Sequence, residues 1–535
     1  MTSRCFIPSS IAGPVMACLF CLWLFSGCIP ADFRNTGPAD LEKHIPAQTD
    51  TPVDGIGTFE FMQEHPPTSS PVASEETSDL TLSVEQAVMA ALEHNQDLKT
   101  RQLNPVIAGA FEQLEKGQYD PELFAQIGIF REATGELESG DTAVSGTAGI
   151  RKATPMGTTL TAEAAYEQDR YPRTADPDKT RVTLSVTQAL LQGAGPAGGL
   201  VAIRQSELET RASLHELTAY VQALVAETEI AYWQYVLARQ EHAIVERSLA
   251  VSKKQQTDVQ HQIEVGVLPR NERAAVQSEV ARREQALIDS ANKVEAFRLT
   301  LLHLMDPGIA RHLDRRVSPA SDPAIEPDPV TDVHDRTILA MAMRPDLAEA
   351  RLRMQQRRLE TIVTHNGLLP RLDFFMDLGI AGFSRRSSEA FTSLDNGDIE
   401  LFAGLSLSRF VGNRPAMARH QAALATRQQA KQALENLERT IHLDIRLAVN
   451  EIERARQQIH ASQITRRSEE QTVQAEIERF NVGAGTALLV AQAQRDLLVS
   501  QIAEVRAVIQ YRIALIRLFL AEGSLLPRRG IVFHE

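Results

Sequence analysis

Two very long stretches without proline or glycine constrain the fold of this chain more than any other feature. They run over about residues 198–264, free of both after Gly199, and 416–481. Apolar residues recur in the first stretch at the three- and four-residue spacing of a helix face: Leu214, Leu217, Val221, Leu224 and Val225. A helix of this length spans roughly 100 Å and needs lateral partners. The pattern therefore predicts a coiled coil or a helical tube.

Each long stretch is followed by a glycine-centred break and a shorter helical segment, over about residues 270–304 and 487–520. The breaks are Val265-Gly266-Val267-Leu268 and Val482-Gly483-Ala484-Gly485-Thr486. Glycine after a helix lets the backbone reverse its direction. We therefore predict two antiparallel helical hairpins with exposed tips.

Other segments alternate between polar and apolar residues. They include Thr158–Ala164, Thr180–Val186 and Glu400–Leu407. A period of two gives a strand one apolar and one polar face. This fits a barrel wall between lipid and lumen, and it also fits any half-buried antiparallel sheet. The predicted fold class is α+β, with long antiparallel helical hairpins and antiparallel strands.

The helices and strands form two internal repeats, divided by a proline-rich stretch at residues 306–330. Pro121 follows Leu98 at the same spacing as Pro370 follows Leu347. Each repeat is predicted to contain a first helix (about 83–117 and 333–366), then strands, a very long helix, a break and another helix.

The N-terminus is typical of a bacterial lipoprotein. A charged start at Arg4 precedes an apolar run, Ile11–Phe25, of signal-peptide length, and small residues precede Cys28. Ile29, rather than Asp, follows Cys28, which favours the outer membrane. The alternative is an ordinary signal peptide with a chance cysteine. Residues 29–79 are rich in Pro, Ser and Thr and predict a flexible tether.

These boundaries predict six segments. They are a signal peptide (1–27), the lipidated Cys28 with its tether (28–79), a first repeat (80–305), a proline-rich linker (306–332), a second repeat (333–521) and a C-terminal tail (522–535).

Nothing in the sequence predicts an enzyme. The net charge of −14 argues against a nucleic-acid partner. The chain has no Gly-x-Ser-x-Gly, phosphate-loop or His-Glu-x-x-His motif, and its four cysteines all lie within the first 28 residues. The glycine-rich residues 193–198 lack the βαβ pattern of a dinucleotide site and are interpreted as a turn before a helix. No catalytic residue, cofactor or metal is expected.

Taken in order, these features resemble the TolC-like outer membrane factor family, lipoprotein type, over about residues 80–521. The two hairpin breaks are the most specific segments of the match. The resemblance implies a homotrimer whose strands form one shared transmembrane β-barrel and whose helices form a periplasmic tunnel. It implies a channel subunit of a tripartite efflux or type I secretion system, with a periplasmic adaptor protein and an inner-membrane pump as partners.

The family usually contributes four strands per subunit. The first repeat here is longer than the second, and its additional residues include the strand-like Ala148–Ala153 and Thr158–Tyr166. They fit either an added hairpin, and hence a wider barrel, or a long surface excursion.

The resemblance also implies roles for particular residues. Both breaks are candidate adaptor-docking tips, against the alternative of simple turns. Four carboxylates before the second tip are candidates for an aperture ring: Glu469, Glu470, Glu476 and Glu478. Their alternative is a solvated helix face balanced by Arg466, Arg467 and Arg479. Phe374, Phe375, Phe402 and Phe410 fit either interfacial belts or sheet core.

A second function remains open at this stage. A periplasmic coiled-coil lipoprotein without a pore would explain Cys28 and the long helices. It would not explain two matched sets of alternating strands. The cargo is left open among drugs, metal ions and secreted proteins.

Overall fold

Two repeats of helices and strands make up the described part of the protein. A computed structural model describes residues 59–61, 80–131, 142–168, 178–305, 315–384, 389 and 392–533, all within one unit, Gly57–Glu535. The predicted signal peptide (1–27) and Cys28 lie outside the described residues, as does the tether apart from Phe59–Phe61.

The four helices of each repeat follow the same order of lengths, with the third helix much the longest. The first repeat contains α1 (Val84–His94), α2 (Gln96–Gly117), α3 (Val201–Glu264) and α4 (Glu272–Met305). The second contains α5 (Val333–Met343), α6 (Pro345–Asn366), α7 (Arg414–Asn481) and α8 (Ala487–Glu522). Single helical turns occur at Pro196–Gly199 and Leu525–Arg528, and a 3-10 turn at Thr392–Asn396. The predicted hairpins, α3–α4 and α7–α8, are therefore present.

The strands form one large and two small sheets. The large sheet contains β3 (Glu122–Arg131), β4 (Thr142–Ala153), β5 (Thr158–Gln168), β6 (Asp178–Ala189), β8 (Arg371–Ser384) and β9 (Asp398–Ser408). In the small sheets, β1 (Phe59–Phe61) pairs antiparallel with β10 (Ile531–Phe533), and β2 (Leu80–Leu82) pairs parallel with β7 (Val317–Pro319). The predicted mixture of long helices and antiparallel strands is confirmed.

The first helix of each repeat differs from its prediction, because each is divided into two. The Asn95 side chain accepts a hydrogen bond from the Leu98 backbone N–H (3.0 Å), which caps the start of α2. In the second repeat Pro345 occupies the first position of α6, where its missing N–H costs nothing. Proline also disfavours a helical conformation of the preceding Arg344, so α5 ends there.

The largest core surrounds the middle of α3, where Tyr232 is fully buried. Its hydroxyl donates to the Leu82 carbonyl (3.0 Å) and accepts from the Ser321 backbone N–H (3.1 Å). Trp233 packs edge-on against its ring, with the centroids 5.3 Å apart. Helix α8 joins this core and also a second one, along α7, so the helices of both repeats are packed together.

Glu522, at the end of α8, is the most deeply buried carboxylate in the described part of the chain. It is fully buried and pairs with Arg336, while its second oxygen accepts from the Ser524 hydroxyl (2.7 Å) and lies 3.4 Å from Arg528. This carboxylate holds α5 and the C-terminal turn against α8.

None of the helices in the described residues has a stretch long and apolar enough to cross a membrane.

Candidate functional site

The six-stranded sheet is the first candidate functional surface. Its order is β3-β4-β5-β6-β8-β9, and every neighbouring pair is antiparallel. The first repeat supplies four strands and the second two. The outer strands, β3 and β9, each pair with a single neighbour in the described sheet, so each leaves one edge open.

One face of this sheet is apolar across all six strands. Residues paired directly opposite each other project from the same face, so the register assigns the sides. The apolar face carries Leu123, Ala125, Ile127 and Ile129 on β3; Val144, Ala148 and Ile150 on β4; Leu160, Ala162, Ala164 and Tyr166 on β5; Val182, Leu184 and Val186 on β6; Leu372, Phe374, Met376, Leu378 and Ile380 on β8; and Ile399, Leu401, Ala403, Leu405 and Leu407 on β9. Much of this face is uncovered, since Ile127 is 80% exposed and Leu405 is 65% exposed.

The opposite face is polar and charged. Its residues include Gln126, Thr147, Thr161, Glu163, Arg181, Thr183, Ser185, Asp377, Glu400 and Ser406. Arg181 on β6 reaches across β8 to pair with Glu400 on β9 (2.5 Å). Gly379 and Ala381 lie on the intervening strand, and their small size leaves room for this bridge.

Aromatic rings on the polar face cover glycines of the neighbouring strand. The Phe124 ring lies above Gly149, where a β-carbon would come within 2.7 Å of it, and Phe375 covers Gly404 at the same distance. Arg151 lies over the Phe124 ring, 5.2 Å from its centroid. Such pairs compensate for the missing side chain of a strand glycine.

The four phenylalanines that the sequence grouped together are separated by the structure. Phe374 lies on the apolar face, whereas Phe375 and Phe402 stack on the polar face with their centroids 5.3 Å apart. Phe410 follows β9 and is exposed. Of the four, only Phe374 is therefore placed on the apolar face, where a belt facing the surroundings would lie.

The hairpin tips are the second candidate surface, and both have the same backbone structure. Gly266 has φ of 79° and Gly483 has φ of 76°, the left-handed conformation that glycine adopts without strain. The following residues, Val267 and Ala484, donate to the carbonyls of Gln262 (2.9 Å) and Arg479 (2.8 Å). Each tip is thus a Schellman motif that ends its long helix.

The two tips lie beside each other. Val259, Val276 and Ala487 form a buried cluster, with Leu268 and Phe480 packed against it. The Glu272 carboxylate accepts from the backbone N–H of Ala487 (3.0 Å), which links the start of α4 to the start of α8. Glu272, Ile263 and Phe480 were not recognised from the sequence, although the acidic residue in the first turn of α4 was a signal for a helix start.

The candidate tip residues therefore divide into two groups. Val265, Val267, Val482 and Ala484 are exposed, with Val267 at 70% and Val482 at 79%. Leu268 packs inward and Thr486 caps α8, its hydroxyl accepting from the Leu489 N–H (3.4 Å). The exposed apolar group is the part of the tips that a partner can contact.

The four candidate aperture carboxylates are not brought together. Glu470 pairs with Arg466 (2.5 Å), and Glu476 pairs with Arg479 (2.7 Å). The hydrogen bond that Arg466 donates to Glu470 raises the pKa of Arg466. On an α-helix Glu478 projects about 180° away from Glu469. One ring facing one axis therefore cannot include all four.

A buried charge cluster lies above the tips, between α4 and α8. Glu279 and Arg283 are paired at 2.8 Å with side chains only 6% and 4% exposed. Burial lowers the pKa of Arg283, the Glu279 carboxylate opposes this shift, and Arg495 adds to it. Among the described residues, the Nε atoms of Arg283 and Arg495 have no hydrogen-bond partner. The ion pair of this cluster lies within α4, and Arg495 is the like charge that α8 places beside it.

The described residues contain no group of His, Cys, Asp and Glu side chains suited to hold a metal ion. The described residues form a sheet with one apolar and one polar face, and this sheet is joined to two helical hairpins. At 1.5 Å per residue the tips lie about 95 Å from the sheet end of α3. This arrangement defines the fold class of the outer-membrane channel-tunnel proteins.

The comparisons with known proteins agree with that class. Residues 339–524, most of the second repeat, match the family model described as Outer membrane efflux protein. The predicted resemblance to the TolC-like family is thereby confirmed. Nothing among the curated proteins matches the chain.

Solved structures share the fold at low sequence identity. The CmeC outer membrane channel of Campylobacter jejuni is 15% identical, with 88% of this chain and 95% of that chain covered and a TM-score of 0.64. The MtrE outer membrane channel of Neisseria gonorrhoeae, in its open state, is 17% identical, with coverage of 88% and 99% and a TM-score of 0.60. The outer membrane protein VceC of Vibrio cholerae is 17% identical, with coverage of 84% and 96% and a TM-score of 0.60.

Proposed function

We propose that this protein is one subunit of an outer-membrane channel that passively conducts cargo from a periplasmic adaptor and inner-membrane pump to the cell exterior. The single observation that supports this most is the sheet with one apolar and one polar face, held about 95 Å from the paired tips. A lipid-facing wall needs the apolar face, and a water-filled lumen needs the polar face.

The open edges of the sheet support the proposal of a homotrimer. Within the described sheet, β3 and β9 each pair with a neighbour on one side only, and an open sheet edge is not tolerated in lipid. Strand β3 follows α2 and β9 leads into α7, so the two edges run in opposite directions. The β9 edge of one copy can therefore pair antiparallel with the β3 edge of the next. Ring closure by three copies leaves no free edge.

A conductance measurement tests the channel. Purified trimers in planar lipid bilayers should give stepwise openings. Folded trimers that give no openings would contradict this function and would favour the periplasmic coiled-coil alternative.

The exposed apolar groups of the tips fit a docking site for the adaptor. Val267 and Val482 lie at neighbouring tips and contribute little to the buried cluster below them. An adaptor that covers them would remove apolar surface from water, which favours association.

Substitution at the tips tests docking. Val267→Asp combined with Val482→Asp should reduce adaptor crosslinking at least tenfold, because each carboxylate would have to be desolvated. Val251→Asp is the matched control, since Val251 is exposed on α3 away from the tip. Trimer yield on gels should be equal for all forms. Undiminished crosslinking of the double variant would refute docking at these residues.

Cys28 is proposed as a lipid anchor on the tether rather than as the means of crossing the membrane.

For the four candidate carboxylates of α7, we retain a narrower proposal. Glu469 has no ion pair in the described structure, and it projects from nearly the same side of α7 as Glu476. These two, rather than all four, are the candidates for a charged ring.

A further inference from the structure

We propose that the channel wall contains 18 strands rather than twelve, because a strand pair inserted into the first repeat is a full part of the wall. This inference rests on the proposed trimeric channel. It assigns the inserted pair, β4 and β5, a role in setting the width of the exit.

The repeats identify the inserted strands. Pro121 and Leu123 at the start of β3 correspond to Pro370 and Leu372 at the start of β8. At the other end, β6 leads into α3 as β9 leads into α7. The strands without a counterpart in the second repeat are therefore β4 and β5.

The inserted strands are paired along their length on both sides. Strand β4 pairs with β3 from Thr142 to Arg151, and β5 pairs with β6 from Thr158 to Gln168. With 12 and 11 residues, β4 and β5 are both long enough for a tilted strand to cross a bilayer, which needs about 9–11 residues. A surface excursion would need neither property.

The apolar face also continues through the middle of both strands, as far as Lys152, which lies opposite Leu160 at the helical end of β4. Ala148 and Ile150 on β4 pair with Ala164 and Ala162 on β5, between Leu123 on β3 and Leu184 on β6. A hairpin that left the wall for water would have no reason to keep the apolar face of its neighbours.

The turn between β4 and β5 is held at the helical end of the sheet. Its residues 154–157 pack on the glycine-rich segment that connects β6 to α3. The Met156 carbonyl accepts from the Gly195 N–H (3.1 Å) and from the Gln188 side chain (3.1 Å). The Gly157 carbonyl accepts from the Ala189 N–H (2.9 Å).

The turn and the segment between β6 and α3 approach so closely that each needs a glycine at the contact. A β-carbon on Gly199 would lie 2.3 Å from the Pro155 carbonyl oxygen. One on Gly157, which has φ of 81°, would lie 2.4 Å from the Gly193 carbonyl oxygen. The glycines thus allow the turn between β4 and β5 to pack closely on the segment that connects β6 to α3.

The circumference of an 18-stranded wall agrees with that of the ring of helices below it. Eighteen strands spaced about 4.8 Å apart and tilted by about 40° enclose a circumference of about 110 Å, whereas twelve enclose about 75 Å. Helices α2, α3, α6 and α7 lie side by side in each subunit. Twelve such helices, 8–10 Å apart, form a ring of about 110 Å. The wider wall continues the tunnel without narrowing, so the sheet exerts no size selection on bulky hydrophilic cargo.

Cysteine labelling of assembled trimers in membranes tests whether β4 and β5 belong to the wall. Neighbouring residues on each strand face opposite sides, so Thr147→Cys and Thr161→Cys are matched with Ala148→Cys and Ala162→Cys. The native cysteines all precede residue 29, and labelling of the unsubstituted protein measures any reaction of their own. The threonine positions should react with a membrane-impermeant maleimide. The alanine positions should react at least tenfold more slowly with it and should react with a lipid-phase maleimide instead.

The outcomes separate this inference from the proposed function. Rapid aqueous labelling at all four positions of a conducting trimer would overturn the wider wall and leave the channel intact. Alternating labelling in a trimer that never conducts would overturn the channel function alone. Electron cryomicroscopy should show a barrel with a backbone diameter of about 36 Å; a diameter near 24 Å would overturn the inference.

Discussion

At the scale of single residues, glycines explain a segment whose sequence suggested little. Residues 193–198 were interpreted as a turn before a helix, and the structure has a turn there. The sequence could not indicate why small residues were needed. The reason is the Pro155 carbonyl above Gly199, which is remote in sequence. Contacts of this kind depend on how strands pair, which local patterns do not encode.

Gly199→Val should destabilise the subunit by about 1–3 kcal/mol, because its β-carbon meets backbone that cannot move aside cheaply. Gly198→Val is the matched control, since the nearest atoms to a β-carbon there are side-chain atoms of Asn366 at 3.9 Å. The heat resistance of trimers on gels and the urea midpoint measure the effect. Equal loss of stability in both variants would show that the close contact between Pro155 and Gly199 does not require glycine at residue 199.

Glu522 gives a second prediction at this scale. Glu522→Ala leaves Arg336 partly buried without its carboxylate, and we expect a loss of about 3–5 kcal/mol. The control is Glu453→Ala in an exposed pair on α7. Hydrogen bonds from Arg456 and Gln457 lower the pKa of Glu453 to about 2, so it stays charged at neutral pH. The control should nonetheless keep nearly full stability in urea, because exposed pairs contribute little.

At the scale of helices and strands, the sequence predicted what depends on local pattern. The ends of α3 and α7 lie within three residues of their expected positions, because glycine and proline mark them. The division at Asn95 was missed, since a single asparagine within a helical pattern is ambiguous. For the inserted strands the sequence left two alternatives open, because alternation shows the two faces of a strand but not its neighbours.

The pairing of the hairpin tips is testable at this scale. Glu272→Ala removes the acceptor for the Ala487 N–H and should weaken the start of α8 by about 0.5–2 kcal/mol. Hydrogen exchange of the amides after Thr486 should accelerate accordingly. Glu264→Ala, at the exposed end of α3, should leave these amides unchanged. Unaltered exchange in Glu272→Ala would show that Glu272 does not join the tips.

At the scale of the whole molecule, membrane crossing and lipid anchoring are expected to be separable. Cys28→Ser should abolish incorporation of labelled palmitate, while heat-resistant trimers should still form, because the sheet rather than the lipid forms the wall. The control is Cys21→Ser, within the signal segment, which should retain the label. Complete loss of membrane-inserted trimers in Cys28→Ser would contradict this division of roles.

The inserted strand pair also has an electrical consequence. In a tube of nearly constant cross-section, resistance is spread evenly along the length, and any local narrowing takes most of an applied voltage. If the sheet continues the helical ring at the same circumference, it contributes little resistance of its own. The helical tunnel below the sheet, down to the tips formed by four helix ends, then determines the conductance. Substitutions there should change the conductance far more than equal substitutions in the sheet.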